Sequence, residues 1–395
     1  MSENVKIIFA GDTFPTPNNI ELFQAGDTER LFGSRVCELF GGADYSVCNL
    51  EGCLTDTGEL IEKVGPSVKA PTDTLKALQK LGIKAATLAN THTLDFGKTG
   101  HDEMRSALRK YGIEYFGTGD NKDSFRPFIT LNIKNKTIIL YTVTELFSFN
   151  TPSDNAPGAY GYDEYAVCKE LSALKERCDY LVVLYHGGAE MTHYNTPLVR
   201  RRFHRMADNG ADIIISQHTH AVGFEEEYNG SYLLYGQGNF CFNLSKTVSE
   251  FTKNGVLLEA VFGDEGLSVN KHMVRRTELG CVYDEEQDFT NFDERTLLHK
   301  KMLQGDTDAI REFEQEFDRV GLVWMPRLMR VFRGINHEDD AALKNKQPDE
   351  AIEYFLNCYT KRQLLGIQMM LTNDEFNEIA ARFIQTAIDK KEREI

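Results

Sequence analysis

The chain has 395 residues, of which 41% are hydrophobic, 26% charged and 11% aromatic, which excludes a disordered polymer and leaves room for one large domain with an appendage, or for two domains. A formal net charge of -16 disfavours nucleic acid and anionic membrane as partners, since both require a positive face. Eight scattered cysteines without a Cys-x-x-Cys pair, no apolar run near the ~20 residues of a membrane-spanning helix, and a first segment without a secretory pattern lead to the expectation of reduced thiols in a soluble, cytoplasmic chain.

Val5 to Ala10 reads as a central strand that stops at Gly11 and delivers Asp12. Thr28 to Phe40 has helical spacing and closes on Gly41 and Gly42; Tyr45 to Leu50 is the next strand, bringing Asn49 and Glu51. Asp73 to Leu81 forms a short helix ended by Gly82. The apolar run from Ala85 then stops in the polar turn that carries Asn90, Thr91, His92 and Asp95, before a helix from about Lys98 to Tyr111. This repeated order of strand, polar turn, helix and glycine argues for βαβ units and a mostly parallel sheet. From Phe128 to Thr142, two apolar runs joined by Lys134-Asn135-Lys136 signal a hairpin. The loop from Thr151 to Gly161 is long enough for a lid and equally suited to an inert surface excursion. The helices Tyr162 to Glu176 and Pro197 to Asn209 alternate with the strands Tyr180 to Tyr185 and Ile213 to Ser216. Tyr232 to Gly236, Gly255 to Val261 and Leu267 to His272 read as closing antiparallel strands. Beyond Val282 the strand signal stops, so residues 1–281 form the α/β domain and residues 282–395 a helical extension, with helices at Asp293–Gln304, Asp306–Arg319, Pro348–Cys358, Thr360–Leu371 and Asp374–Lys390.

Strand ends that deliver Asp12, His92, His186 and the pair His218 and His220 are expected to converge on one sheet edge, where open α/β sheets bind ligands. The candidate ligands are Asp12, Asn49, Glu51, His92, His186, His218 and His220, with Asp95 and Glu190 as supporting carboxylates. Imidazole and carboxylate together suit zinc, iron or manganese, and a carboxylate can bridge two ions. His218-Thr219-His220 on extended chain would put both rings on one side, because the side-chain period of a strand is two. Asp95 reads both as a helix N-cap and as the orienter of His92. Glu190 fits a ligand-orienting role and a solvated loop equally, and Lys69 reads as a surface lysine. The basic run Arg200, Arg201, Arg202, His204 and Arg205 reads as a solvated helix face in preference to an anion dock. Gly236-Gln237-Gly238 reads as a tight turn that lets backbone approach the site. His101, His193, His272, His299 and His337 have no motif context and are assigned no role.

The ordered motifs Gly11-Asp12, Asn49-Leu50-Glu51-Gly52, Lys69-Ala70-Pro71, Ala89 to Gly97, His186-Gly187-Gly188-Ala189-Glu190, His218-Thr219-His220 and Tyr235 to Phe240 resemble the capsule-synthesis CapA family, associated with poly-γ-glutamate synthesis and part of the calcineurin-like metallophosphatase superfamily. The resemblance covers roughly residues 5 to 245. It implies a four-layer α/β/β/α sandwich with two divalent metal ions (Mn, Fe or Zn), one held by Asp12 and His220, the other by His186 and His218, and Glu51 bridging. It also implies that His92 sits beside the metals as a general acid or an oxyanion-stabilising donor. Three positions depart from the pattern. Most members have asparagine where Thr91 stands, and that asparagine is a metal ligand in the wider superfamily, so Thr91 is a shorter and weaker oxygen ligand. Phe14 stands where metallophosphatases usually have histidine, and Thr219 replaces a common proline. The functional expectation is a metal-dependent, phosphoesterase-like hydrolase linked to capsule or poly-γ-glutamate synthesis, with an anionic small-molecule or polymer substrate. The alternative, favoured by Thr91, is a non-enzymatic accessory protein for capsule polymer assembly with a decayed metal site. The sequence assigns no oligomeric state.

Overall fold

Successive apolar residues on the central strands point to opposite faces and so serve two cores at once. In the first strand, Val5–Phe14, the side chains of Ile7 and Phe9 join one buried cluster and those of Ile8 and Ala10 another. On Tyr180–His186, Val182 and Leu184 reach that same shared cluster, whereas Leu181, Val183 and Tyr185 face a third. The shared cluster is the interface between two sheets. The other two lie under helices: Leu31, Phe32, Val36, Leu78 and Met104 cover the first sheet, and Leu171, Phe203 and Met206 cover the second. The result is the four-layer α/β/β/α order that the family resemblance implied. Full burial of each large side chain in these layers contributes about 1.5–3 kcal/mol before entropy is counted.

The computed structural model describes residues 4–313 except 62, 64–65, 147–149 and 244–248, together with positions 315, 316 and 350. By internal contacts the chain divides into two compact units, Met1–Phe313 and Glu314–Ile395. The helices expected at Pro348–Cys358, Thr360–Leu371 and Asp374–Lys390 lie outside the described residues but for Glu350, as does most of the end of Asp306–Arg319.

In the first sheet the strands run in the order Cys281–Tyr283, Gly266–Arg276, Asn254–Gly263, Val5–Phe14, Tyr45–Leu50, Ala85–Thr87 and Glu114–Phe116. From Val5–Phe14 onward the neighbours are parallel, and on the other side of that strand they are antiparallel. The second sheet has the order Val222–Tyr228, Ser231–Gln237, Ile213–Gln217, Tyr180–His186, Lys136–Thr144 and Phe128–Ile133, parallel in its centre with an antiparallel hairpin at each edge. Parallel strands leave their carboxyl ends on the same side, so reactive residues gather along one edge of each sheet.

Several local readings are revised. The first strand does not stop at Gly11; it continues to Phe14 through a register shift between Ala10 and Asp12. Such a bulge inserts a residue and re-aims the side chain beside it. Val222–Tyr228 is a strand although Glu225-Glu226-Glu227 interrupts its apolar pattern. Asn239–Phe242 pairs in parallel with the end of the first strand, so the chain leaves the second sheet at Gln237 and enters the first at Asn239. The helix Thr28–Gly41 is broken at Gly33, whose φ of 70° is not helical.

Thr290–Leu303, expected in the helical extension, belongs to the first unit. Phe292 enters the inter-sheet cluster, and Nε2 of His299 lies 3.0 Å from Glu226 Oε2. Glu226 also accepts from the hydroxyl of Tyr235 at 2.9 Å, and its other oxygen lies 2.9 Å from Nε2 of His204. Burial alone would raise this carboxyl, but its bonds to His204 and His299 outweigh it and hold it at about 2. In the unfolded chain a glutamate titrates near ~4.3. The stabilisation is therefore complete above about pH 4.3 and is lost as pH falls towards 2. Glu226→Gln is expected to cost about 1–3 kcal/mol at neutral pH and to flatten this acid limb, as read by denaturant unfolding between pH 7 and pH 3.

Candidate metal centre

The candidate residues converge, but from two facing sheets and not from one edge. Asp12, Asn49 and Glu51 come from the first sheet; in the second, His186 ends one strand, and His218 and His220 follow another. The bulge at Gly11 turns Asp12 inward, where it and Glu51 have no exposed surface. A Cβ on Gly11 would stand 2.1 Å from the carbonyl oxygen of Gly238. Glycine at 11 is thus a condition of the two sheets meeting here, and Gly238, at φ 71°, carries the chain across. The Gly236-Gln237-Gly238 turn does bring backbone against the site.

His218 and His220 are not on extended chain. Their strand ends at Gln217, and both take left-handed backbone, with φ 83° and 57°. Non-glycine residues in that region cost about 1–3 kcal/mol each and concentrate at functional sites. The two rings, 6.1 Å apart between centroids, serve different partners. Nδ1 of His220 lies 3.3 Å from Asp12 Oδ2 and 3.8 Å from Glu51 Oε2, while the ring of His218 stands 4.7 Å from that of His186. His186 Nε2 is 3.7 Å from the other oxygen of Glu51. Two donor sets result, Asp12–Glu51–His220 and Glu51–His186–His218, in each of which the ligand atoms lie within 4.8 Å of one another. Glu51 belongs to both.

Among the described residues neither oxygen of Glu51 has a hydrogen-bond partner, and neither does Nε2 of His186 or Nδ1 of His218, although all four atoms are buried. Leaving such atoms unmatched is costly, most of all for a carboxylate. Divalent cations fit this set of imidazole nitrogens and carboxylate oxygens. A third group, His101, Asp102 and Asp120, differs in that its acids are already matched: Arg105 pairs with Asp102 at 2.7 Å and with Asp120, and Lys98 pairs with Asp102.

Asn49 stands against a member of each set. Its Nδ2 donates to Asp12 Oδ1 at 2.7 Å and stands 3.1 Å from His186 Nδ1, while its Oδ1 accepts from Thr87 and from Asn90, each at 3.1 Å. Asn90 is tied to the Leu50 carbonyl and to the amide of His92, so it is a brace for the turn. Thr91 is buried between Asn90 and His92. His92 and Asp95 meet side by side, Nδ1 lying 2.7 Å from Oδ2. Glu190 Oε1 stands 3.8 Å from His218 Nε2 at the edge of the site, with 35% of its side chain exposed. Lys69 is exposed, its Nζ 5.2 Å from the centre of the Phe96 ring.

The basic helix is not one solvated face. Arg202 reaches inward to Glu145 at 2.7 Å and the Tyr185 hydroxyl at 2.6 Å, and Glu145 in turn accepts from the Gly188 amide at 3.2 Å, bracing the loop after His186. Two further contributors escaped sequence reasoning. Asn239 Oδ1 lies 2.9 Å from His220 Nδ1, and Lys63 pairs with Asp95 in the interior. Asn239 sits in a motif that was recognised for its glycines; Lys63 has no sequence signal.

Residues 6–244, more than half of the chain, match the family described as bacterial capsule synthesis protein PGA_cap. The chain belongs to that family. The chain is 24% identical over 276 residues to the capsule biosynthesis protein CapA of Bacillus anthracis, covering 68% of this chain and 66% of that protein. To the PGA biosynthesis protein CapA of Bacillus subtilis it is 25% identical over 209 residues, covering 52% and 55%. This chain thus spans less than two thirds of the length of either relative. A hypothetical protein from Thermus thermophilus superposes with a TM-score of 0.45 at 13% identity, covering 69% of this chain and 100% of the other. A putative 5'-nucleotidase from Staphylococcus aureus does so with a TM-score of 0.44 at 14% identity, covering 80% and 58%. Among the described residues no helix is long and apolar enough to cross a membrane.

In this PGA_cap member the centre holds acids and bases that have moved far from their ordinary ranges. Burial, then the neighbouring charge of Asp12, drives Glu51 well up. Burial would also raise Asp12, but its bond to His220 and the charges of His220 and His186 hold it at about 2. Burial would lower His220, yet Glu51 and Asp12 lift it to about 10. Burial lowers His186 and His218, with another imidazole adding to the effect in each case. These opposed shifts come from acids and imidazoles crowded together in a buried cluster, and a divalent cation bound there would compete with protons for the same atoms.

For Glu51 the sign is opposite to that at Glu226. Its pKa is higher folded than unfolded, so metal-free protein loses stability as pH rises above about 4.3. Glu51→Gln is expected to raise the stability of chelator-treated protein at pH 7 by about 1–3 kcal/mol; added manganese or zinc is expected to raise the melting temperature of the native chain and to leave that of the variant unchanged. A Glu51→Gln protein that is less stable than native after chelation would show the carboxylate to be satisfied by protein groups alone.

Proposed function

We propose that this chain is a metal-dependent hydrolase of the phosphoesterase type, acting on an anionic substrate in capsule or poly-γ-glutamate synthesis. The observation that carries the reading is the pair of donor sets sharing one buried, unmatched carboxylate, together with His92 already oriented by Asp95. Asp12 and His220 would hold one ion, His186 and His218 the other, with Glu51 common to both and Thr91 the remaining oxygen of the second site. Bound divalent ions supply Lewis acidity: they lower the pKa of water and offset charge gathering on a phosphoryl or acyl oxygen.

The chain's own residues do the rest. Asp95 can only accept, so it fixes the proton of neutral His92 on Nδ1 and leaves Nε2 to exchange a proton with the substrate. Asn49 keeps Asp12 and His186 in place, Asn239 does the same for His220, and Asn90 sets the turn on which His92 stands. Deep burial of the acids excludes bulk water, which strengthens every charge interaction at the centre. Membership of a capsule synthesis family supports a polyanionic substrate, and cations at the centre would suit one.

The second reading, an accessory protein for capsule polymer assembly that hydrolyses nothing, is favoured by Thr91. A threonine hydroxyl is shorter and weaker as a ligand than an asparagine carbonyl, which thins the second set. The two readings separate in one experiment. Thr91→Asn is expected to raise divalent-metal occupancy and any phosphodiester hydrolysis, whereas His92→Ala should lower hydrolysis by about 10²–10⁴-fold with metal content unchanged. Metal stoichiometry and turnover of a generic phosphodiester with added manganese are measured for both variants and the native chain. Absence of bound metal and of turnover in all three would leave the accessory reading in place of the hydrolase.

A further inference from the structure

The structure assigns Lys63 a role that rests on the hydrolase reading: we infer that it is a positioning residue which, through Asp95, locks the His92 ring in its working orientation. A lysine in the interior is rare unless paired, and only 3% of the Lys63 side chain is exposed, with none of Asp95's. Its ammonium bonds to Asp95 Oδ1 and lies 3.5 Å from His92 Nδ1. The second oxygen, Oδ2, lies 2.7 Å from both the amide of Val68 and His92 Nδ1. The Asp95 carbonyl meanwhile accepts from the Ile61 amide at 3.0 Å.

One aspartate thus binds residues 61, 63 and 68 on one side and His92 on the other. Ile61, Lys63 and Val68 lie in sequence between the strand Cys53–Leu54, which begins two residues after Glu51, and its parallel partner Lys69–Ala70. Asp95 has rotational freedom about its side-chain bonds, and a carboxylate held at one oxygen alone could swing away from an imidazole. Anchored at both oxygens it cannot, and the imidazole that it holds is fixed with it. Lys63 also balances the buried charge of Asp95, so the orienting carboxylate does not depend on His92 for a counter-ion. That makes Lys63 part of the pre-organisation of the general acid–base group without contact with substrate.

The first test needs no activity. In chelator-treated full-length protein, the slowly exchanging Nδ1 proton of His92 is observed by NMR and assigned by its loss in His92→Ala. Lys63→Met is expected to lose that resonance to solvent exchange, while Lys63→Arg keeps it. Should the methionine variant not fold, Lys63→Gln, which retains an N–H donor without charge, carries the same test and is expected to broaden the signal. The second test is kinetic. With manganese, Lys63→Met should lower kcat about 100-fold, the scale of a misplaced reacting group, with KM and metal stoichiometry unchanged. Lys63→Arg should recover most of the loss. In a His92→Ala background, Lys63→Met should have no further effect on kcat. An unchanged His92 resonance in the Lys63 variants, or an equal loss of kcat with and without His92, overturns the assignment. A resonance that behaves as expected in a protein without turnover retains the positioning role and rejects the hydrolase.

Discussion

The centre depends above all on one unfavourable burial, that of the Glu51 carboxylate, which has no exposed surface and, among the described residues, no hydrogen-bond partner. An acid in that position raises the free energy of the metal-free fold, because its charged form is poorly solvated and faces Asp12. The inter-sheet core has to exceed that cost. Ile7, Phe9, Val47, Leu140, Val182, Leu184, Ile213 and Ile215 bury their side chains directly behind the site, and they set the separation at which the carboxyl ends of the two sheets face each other. Stability is thus concentrated in the layer below the residues that carry chemistry, the usual division in α/β proteins.

Backbone features around Glu51 follow from the same demand. The bulge at Gly11, the crossing at Gly238 and the left-handed His218 and His220 all depart from regular strand geometry, and all lie within the few residues where the sheets converge. Regular strands would send their side chains alternately to the two faces and could not aim Asp12, His218 and His220 at one volume. Irregular backbone here is what allows donors from two sheets to share one carboxylate.

A second tier of polar residues removes the remaining freedom. Asn49 spans Asp12 and His186, Asn239 holds His220, Asp95 holds His92, and the Arg202–Glu145 pair braces the loop after His186. Such supports orient ligand rings and fix where their protons reside. The supports come from elements distant in sequence from the groups they hold, so the site is stiff only in the assembled fold.

Much of this protein was legible in its sequence. Apolar runs ending at Asp12, Asn49, His186 and His218 identified the strands and their reactive ends, and the ordered motifs pointed to the family and to a four-layer sandwich. Those features are local: side-chain periodicity and turn chemistry act over a few residues, and a linear chain displays them directly. Other features were settled only by tertiary structure. The sequence placed the donors on one sheet edge, but they come from two. It read His218-Thr219-His220 as extended, whereas both histidines take left-handed backbone and their rings meet separate partners. The basic run Arg200 to Arg205 looked solvated, yet Arg202 turns inward because Glu145 and Tyr185 wait beneath the helix. Lys63 carried no signal at all. Its partner Asp95 is 32 residues further on, and no local pattern encodes a distance that only packing between separate elements creates.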